Sequence, residues 1–161
     1  MRREYYLLAI ISSAVIVLDQ ISKRVVVRTI QIHDAVPVIN GFFNLVHARN
    51  RGMAFGLMNR SHVDLYSYIL IAATFAAIVL LVYWFRRVKT EDKRLVFGFS
   101  LILGGAVGNL IDRVRFREVI DFLDFYIGSY HWPAFNVADS AITVGAFGVA
   151  LYMLFQHSTK I

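Results

Sequence analysis

The sequence predicts an all-α integral membrane protein: four transmembrane helices with a small β-sheet on one face of the membrane. Three observations predict it. Of the 161 residues, 58% are hydrophobic and 17% charged, well above the roughly 45–50% apolar content of soluble domains. The apolar residues gather in four long runs, and the Lys and Arg residues stand mostly at the ends of those runs. The formal net charge of +6 therefore reads as membrane anchoring. It forms no continuous basic stripe, and no nucleic-acid partner is expected. With no cysteine in the chain, disulfides, thiol nucleophiles and Cys-ligated metals are excluded.

The first run, about Tyr5 to Val27, follows Arg2 and Arg3 as a signal peptide would. No A-x-A-like cleavage site comes after it, and the apolar pattern resumes beyond Asp19, so a retained helix is expected. The runs at about 65–85 and 95–111 also meet the roughly 17–25 residues that a helix needs to cross a bilayer. The fourth, about Ser140 to Phe155, is short unless Val137 to Asp139 dip inward, which gives a span of about 139–155. Between the spans, segments 28–64 and 112–138 are the only ones long enough to build something besides helix. In the first, "AVPVINGFFNLVHARNRGMAFGLM" sets β-branched and aromatic residues between Pro37, Gly41, Gly52 and Gly56, a pattern of short strands and turns. No repeat or low-complexity stretch divides the chain, and residues 1–161 are expected to form one membrane domain.

Total Lys and Arg counts do not choose an orientation, but density does. Five basic residues crowd the short link "RRVKTEDKR" (Arg86, Arg87, Lys89, Lys93, Arg94), which favours placing that link and both termini in the cytoplasm. Asp19, Asp112, Asp121, Asp124 and Asp139 then all fall at or beyond the outer ends of helices one, three and four.

Each of these polar groups has a plain reading when taken singly. Gly104 and Gly108 of "GGAVGNLIDR" form a GxxxG pair for close helix packing. Asp112 and Arg113 suit an interfacial anchor, Asp121 and Asp124 a solvated loop, and Asp139 a helix N-cap. Asn109, an amide one turn inside a span, needs a polar partner. Asp121 and Asp124 would share a face on a helix and oppose each other on a strand, and the spacing leaves that open. Taken together, Asp121 and Asp139 lie on either side of a loop that returns the chain to the same face, which makes a carboxylate pair feasible. Such a pair shares a proton and can activate water as a general base. Other hydrolytic signatures are missing: there is no HExxH or GxSxG, His33, His47, His62, His131 and His157 are scattered, and Lys23 directly follows Ser22. A hydrolase built on this chain is most simply an aspartyl one. A small transporter or channel subunit with outer-face carboxylates, and a structural scaffold, are the competing readings. A transporter would carry acids or broken helices near mid-span, whereas the second span holds no charge.

The blocks "LDQISK", "NLVHARNRGMAF", "GGAVGNLIDR", "VIDFLDF" and "PAFNVADSAITVG", in this order over nearly the whole length, resemble the lipoprotein signal peptidases (type II signal peptidases). The resemblance implies a bacterial inner-membrane aspartyl endopeptidase that needs no cofactor or metal. It implies cleavage of prolipoproteins on the amino side of a diacylglyceryl cysteine, in contact with membrane lipid, by a chain acting as a monomer. It implies four helices, a small extracytoplasmic sheet and an arm on the membrane surface. The implied catalytic dyad is Asp121 and Asp139, with Asp124 an accessory acid. Asp19, Asn50, Gly52, Asn109, Asp112, Arg113, Asn136 and Ala138 would shape the site or contact substrate. Two positions depart from the family pattern: Met53, where a small residue is usual, and Arg117, where a glycine is common. Phe55, Phe122 and Trp132 are the candidates for a lid that limits water.

Overall fold

The computed structural model describes residues 3–52, 63–87 and 92–158. Its elements are α1 (Arg3–Thr29), β1 (Ala35–Ile39), β2 (Phe43–Asn50), α2 (Val63–Arg87), α3 (Lys93–Phe116), β3 (Val119–Ile127), β4 (Tyr130–His131) and α4 (Val137–Ser158). All four helices contain stretches long and apolar enough to cross a membrane. Each outruns its apolar run in the sequence, and α4 takes in Val137 to Asp139. Met53 and Phe55 lie outside the described residues.

Lipid tails provide no hydrophobic drive between helices, so association depends on close packing. α3 lies against α4 and α1 most extensively, and against α2 less. Its glycines explain the preference. A Cβ on Gly104 would stand 2.7 Å from Val15 Cβ and 2.8 Å from the Ser12 carbonyl oxygen of α1. One on Gly105 would collide with the Ala138 carbonyl oxygen of α4. The expected Gly104/Gly108 pair does face α1, and Gly105 adds a second close approach on the adjoining face. At the end of the bundle where α2 finishes and α3 begins, Phe85, Leu95, Val96, Phe99 and Val149 form a buried cluster, with Tyr5 edge-on to Phe85 at 5.5 Å.

α3 starts at Asp92, whose side chain accepts the Arg94 N–H at 2.8 Å, and ends at Arg117. Arg117 adopts the left-handed conformation (φ 60°), and its N–H donates to the Arg113 carbonyl. That conformation costs a side-chain-bearing residue about 1 kcal/mol, which is why it favours glycine. Here the guanidinium is held instead: Nη2 donates to Tyr68 Oη at 3.2 Å, and the group sits 5.4 Å from the centre of that ring. Arg117 thus ties the end of α3 to α2.

The sheet runs β1-β2-β3-β4, antiparallel throughout. The first connecting segment supplies two strands, as its pattern predicts. The second supplies the other two, where the sequence left helix and strand open. β3 pairs with β2 so that Ala48 faces Asp121 and Asn44 faces Asp124, across an irregularity between Leu45 and Ala48. Val26 and Ile30 at the end of α1 pack against Phe122. Phe122 is therefore a buried anchor of the sheet, not a lid, while Trp132 is exposed.

Gly105→Val should lower the thermal midpoint of the detergent-purified protein, by an amount corresponding to about 1–3 kcal/mol for overpacking against backbone.

Candidate active site

The site is assembled where α1, α3, α4 and the sheet meet. Asn136 sets its geometry. As the residue before α4 it caps the helix, its Oδ1 accepting the Asp139 N–H at 2.9 Å. The plain reading of Asp139 as the cap is thereby corrected: Asn136 is the cap, and Asp139 lies in the first helical turn, where the dipole favours negative charge. Because the Asn136 oxygen is committed, its Nδ2 points the other way and donates to Asp121 Oδ1 at 2.7 Å. Asn136 is fully buried and touches both acids.

Asn50 repeats the arrangement from β2. Its Oδ1 accepts the N–H of Gly52 at 2.7 Å, so its Nδ2 donates to Asp121 Oδ2 at 2.9 Å. Gly52 holds φ +72°, a conformation that favours glycine, and its carbonyl accepts Tyr66 Oη at 2.6 Å. Asn109, on α3, donates from Nδ2 to Asp139 Oδ1 at 2.7 Å. Its Oδ1 accepts Lys23 Nζ at 3.0 Å and Asn136 Nδ2 at 3.3 Å.

Burial pushes the Asp121 carboxyl up to about 6. The Asn50 and Asn136 donors and the Lys23 charge favour the carboxylate, and the Asp139 charge adds to the rise, but desolvation outweighs the opposing effects. Two acids close enough to influence one another, one of them holding its proton into the near-neutral range, are what proton sharing requires.

Behind this cluster lies a buried ionic one. Lys23 Nζ is 2.8 Å from Asp19 Oδ2 and 2.8 Å from Asp112 Oδ2, and the three side chains are 2%, 0% and 1% exposed. Asp19 Oδ1 also accepts the Ala138 N–H at 3.0 Å, and Asp112 Oδ2 the Ile120 N–H at 3.3 Å. Gln20 Nε2 donates to Asp112 Oδ1 at 3.0 Å, to Asp19 Oδ2 at 3.2 Å and to the Gly108 carbonyl at 3.3 Å. A Cβ on Gly108 would stand 2.8 Å from Asp19 Oδ2, so that glycine leaves room for the carboxylate.

Of the residues singled out in the sequence, Asp121, Asp139, Asn50, Gly52, Asn109 and Asn136 make up the cluster. Asp19, Asp112 and Ala138 lie directly behind it. Arg113, half-buried in the last turn of α3, joins none of these bonds among the described residues. Asp124 is separate: on β3 its side chain points to the opposite face from Asp121, where it meets His131 Nδ1 at 2.9 Å and Asn44 Nδ2 at 2.9 Å. It stands outside the pair as a brace between strands. Lys23 and Gln20 escaped the sequence reading as site residues. The signal was there: Asp19 and Lys23 stand four apart in the outer half of a largely apolar helix, the spacing of an ion pair on one face. Among the described residues no group of His, Asp and Glu has an arrangement that could hold a metal.

Fold and site define a class, a polytopic membrane protein whose helix ends and capping sheet enclose a carboxylate–amide cluster. A family model for signal peptidase (SPase) II matches residues 11–155, and the chain belongs to that family. A lipoprotein signal peptidase from Oleidesulfovibrio alaskensis is 50% identical over 157 residues, covering 98% of this chain and 99% of its own. One from Nitratidesulfovibrio vulgaris is 48% identical over 157 residues, covering 98% and 94%. Two solved bacterial membrane enzyme structures, obtained by the in meso method, superpose with TM-scores of 0.81 and 0.83. They share 33% and 32% identity, over 91% and 96% of this chain and 92% and 91% of theirs. With such relatives and four apolar helices, the chain is a multi-pass protein of the bacterial inner membrane.

Asp124→Asn should leave turnover close to wild type while lowering the thermal midpoint, since it weakens the tie to His131 on the far face of the sheet; an activity assay run beside a melting curve reads both.

Proposed function

We propose that Asp121 and Asp139 are the catalytic dyad with which this chain hydrolyses a peptide bond. As a signal peptidase II, an aspartic endopeptidase of the membrane, it removes signal peptides from prolipoproteins. The observation that carries the dyad is Asn136, whose one side chain donates to the Asp121 carboxyl and accepts the backbone N–H of Asp139.

The raised Asp121 carboxyl gives the two acids different tasks. Asp121 holds the shared proton and Asp139 is the carboxylate. Asn109 occupies Asp139 Oδ1, leaving Oδ2 to take a proton from the attacking water. As the water oxygen bonds to the carbonyl carbon, the Asp121 proton passes to the carbonyl oxygen, and a neutral gem-diol forms. In the second half the C–N bond breaks, Asp139 returns its proton to the departing amine, and Asp121 recovers one from a diol hydroxyl. A carboxylic acid and an amine leave, and the dyad is back in its starting state with one water consumed.

The substrate we propose is a precursor whose cysteine carries a diacylglyceryl group, cut on the amino side of that cysteine. Acyl chains in the bilayer hold the scissile bond near the interface, the depth of helix ends bearing Asp112 and Asp139. Orientation follows from charge. Arg86, Arg87, Lys93 and Arg94 lie at the opposite end of the bundle from the cluster, which supports cytoplasmic termini and a site near the outer face. Every group in the cluster comes from one chain, which supports action as a monomer, and the surrounding lipid is the medium through which substrate arrives.

Asp121→Asn and Asp139→Asn should each lower turnover of a lipidated signal-peptide substrate by about a hundredfold to ten-thousandfold, with chelator present and the fold intact by melting curve. Wild-type turnover in either variant would refute the dyad. The pair should also set the pH profile. Asp121 loses its proton as pH rises through about 6, so kcat/KM, which reports the free enzyme, should fall by about tenfold per unit above that pH.

A further inference from the structure

The three amides of the cluster share one geometric problem. An asparagine side chain presents an oxygen on one side and an NH2 on the other, and only one orientation serves a carboxylate. For Asn50 and Asn136 the choice is made by backbone: the Gly52 and Asp139 N–H groups bind their oxygens at 2.7 and 2.9 Å. Asn109 has no backbone N–H in that position among the described residues. Its oxygen is claimed by Lys23 Nζ at 3.0 Å, with Asn136 Nδ2 a longer second donor at 3.3 Å. A flipped Asn109 would aim its NH2 at the ammonium and its oxygen at Asp139, two repulsive contacts in place of two attractive ones.

We propose that Lys23 is a positioning residue for the hydrolysis, holding the Asn109 amide so that its Nδ2 stays on Asp139 Oδ1 and the free oxygen of Asp139 faces the water. The inference rests on the dyad reading above. Lys23 is suited to the task because it cannot turn away. Its ammonium is buried between Asp19 and Asp112, both at 2.8 Å. With Asn109 as third acceptor, its three donors are matched. The two carboxylates thus fix the ammonium, which fixes the amide, which fixes the acid. The arrangement crosses from α1 through α3 to α4, so the position of the water-activating oxygen depends on packing of three helices and not on one loop.

A structural role alone would move stability and nothing else, so the test reads chemistry. The charged groups around Asp121 are Asp139 of α4 and Lys23 of α1, with neutral Asn50 and Asn136 on its oxygens; around Lys23 they are Asp19 on the same helix and Asp112 of α3. Lys23→Met removes a positive charge that favours the Asp121 carboxylate and leaves two buried negative charges unpaired. Both changes keep the Asp121 proton on to higher pH. In folded Lys23→Met, kcat should fall roughly ten- to hundredfold for a displaced catalytic oxygen, with KM little changed and the alkaline limb of kcat/KM moved to higher pH. On an Asn109→Ala background the same substitution should cost far less than on wild type.

Wild-type kcat with an unmoved limb, or an equal loss on both backgrounds, overturns the proposal. Should Lys23→Met not fold, the neutral combination Asp19→Asn, Lys23→Met and Asp112→Asn removes the unpaired charges and carries the kcat and background comparisons. Failure of that combination to fold would assign Lys23 to stability alone and also overturn it. Asp139→Asn in the same assay separates the two readings. If it is inactive while folded Lys23→Met is normal, only the role of Lys23 falls; if it is active, the dyad falls and the positioning role with it.

Discussion

A lysine ammonium shut away from solvent between Asp19 and Asp112 is the interaction on which the functional end of the molecule depends. Taking charges out of water is expensive, and a buried pair is tolerated when geometry is good and remaining donors and acceptors are satisfied. Here they are. Lys23 finds three acceptors, Asp19 accepts from the start of α4, Asp112 accepts from the start of β3, and Gln20 closes the gap between the acids. Removing one member of such a set leaves an uncompensated buried charge, at a cost of about 3–5 kcal/mol. Glycine makes the arrangement possible, since Gly108 and Gly105 let α1 and α4 come close enough to α3 for these side chains to meet.

The cluster in front follows from the same constraint. Near hydrocarbon, a polar group must find its partner within the protein, and an amide can satisfy a donor and an acceptor at once. Asn50, Asn109 and Asn136 each do so, from a strand, a helix and a helix cap. The two acids they serve are consequently held in place by the protein's own donors, and burial, more than direct charge, raises the Asp121 carboxyl. Asp121 sits deeper in the protein than Asp139, and desolvation leads the causes of its shift.

Much of this was legible in the residues. The four helices could be read because membrane spans announce themselves by length and composition, and the first pair of strands because Pro and Gly bounded a β-branched run. The family followed from ordered blocks. Less legible was whatever depended on contacts between distant segments. Asp121 and Asp124 stand three apart, a spacing that suits helix or strand; pairing of β3 with β2 decided the matter and sent the two acids to opposite faces. Phe122 looked like a lid because it is aromatic and close to the acid, but its alternation on β3 turns it toward Val26 and Ile30. Asp139 had the look of a cap, yet the residue three before it performs that task. Lys23 adjoins Ser22 in sequence, but its partners lie one turn back and on another helix.

The outer edge of the sheet has its own consequence. β1 exposes Val36, Val38 and Ile39 on a border that no other strand pairs among the described residues, the profile of a strand that recruits another strand. In a bilayer, copies of one protein float at the same depth and with the same side up, so their edges meet at matching height far more often than they would in free solution. Pro37, which offers no N–H, and the irregularity in pairing between Pro37 and Ile39 interrupt the row of donors that a neighbour would need. Crowded molecules can therefore slide past one another without stitching their borders together.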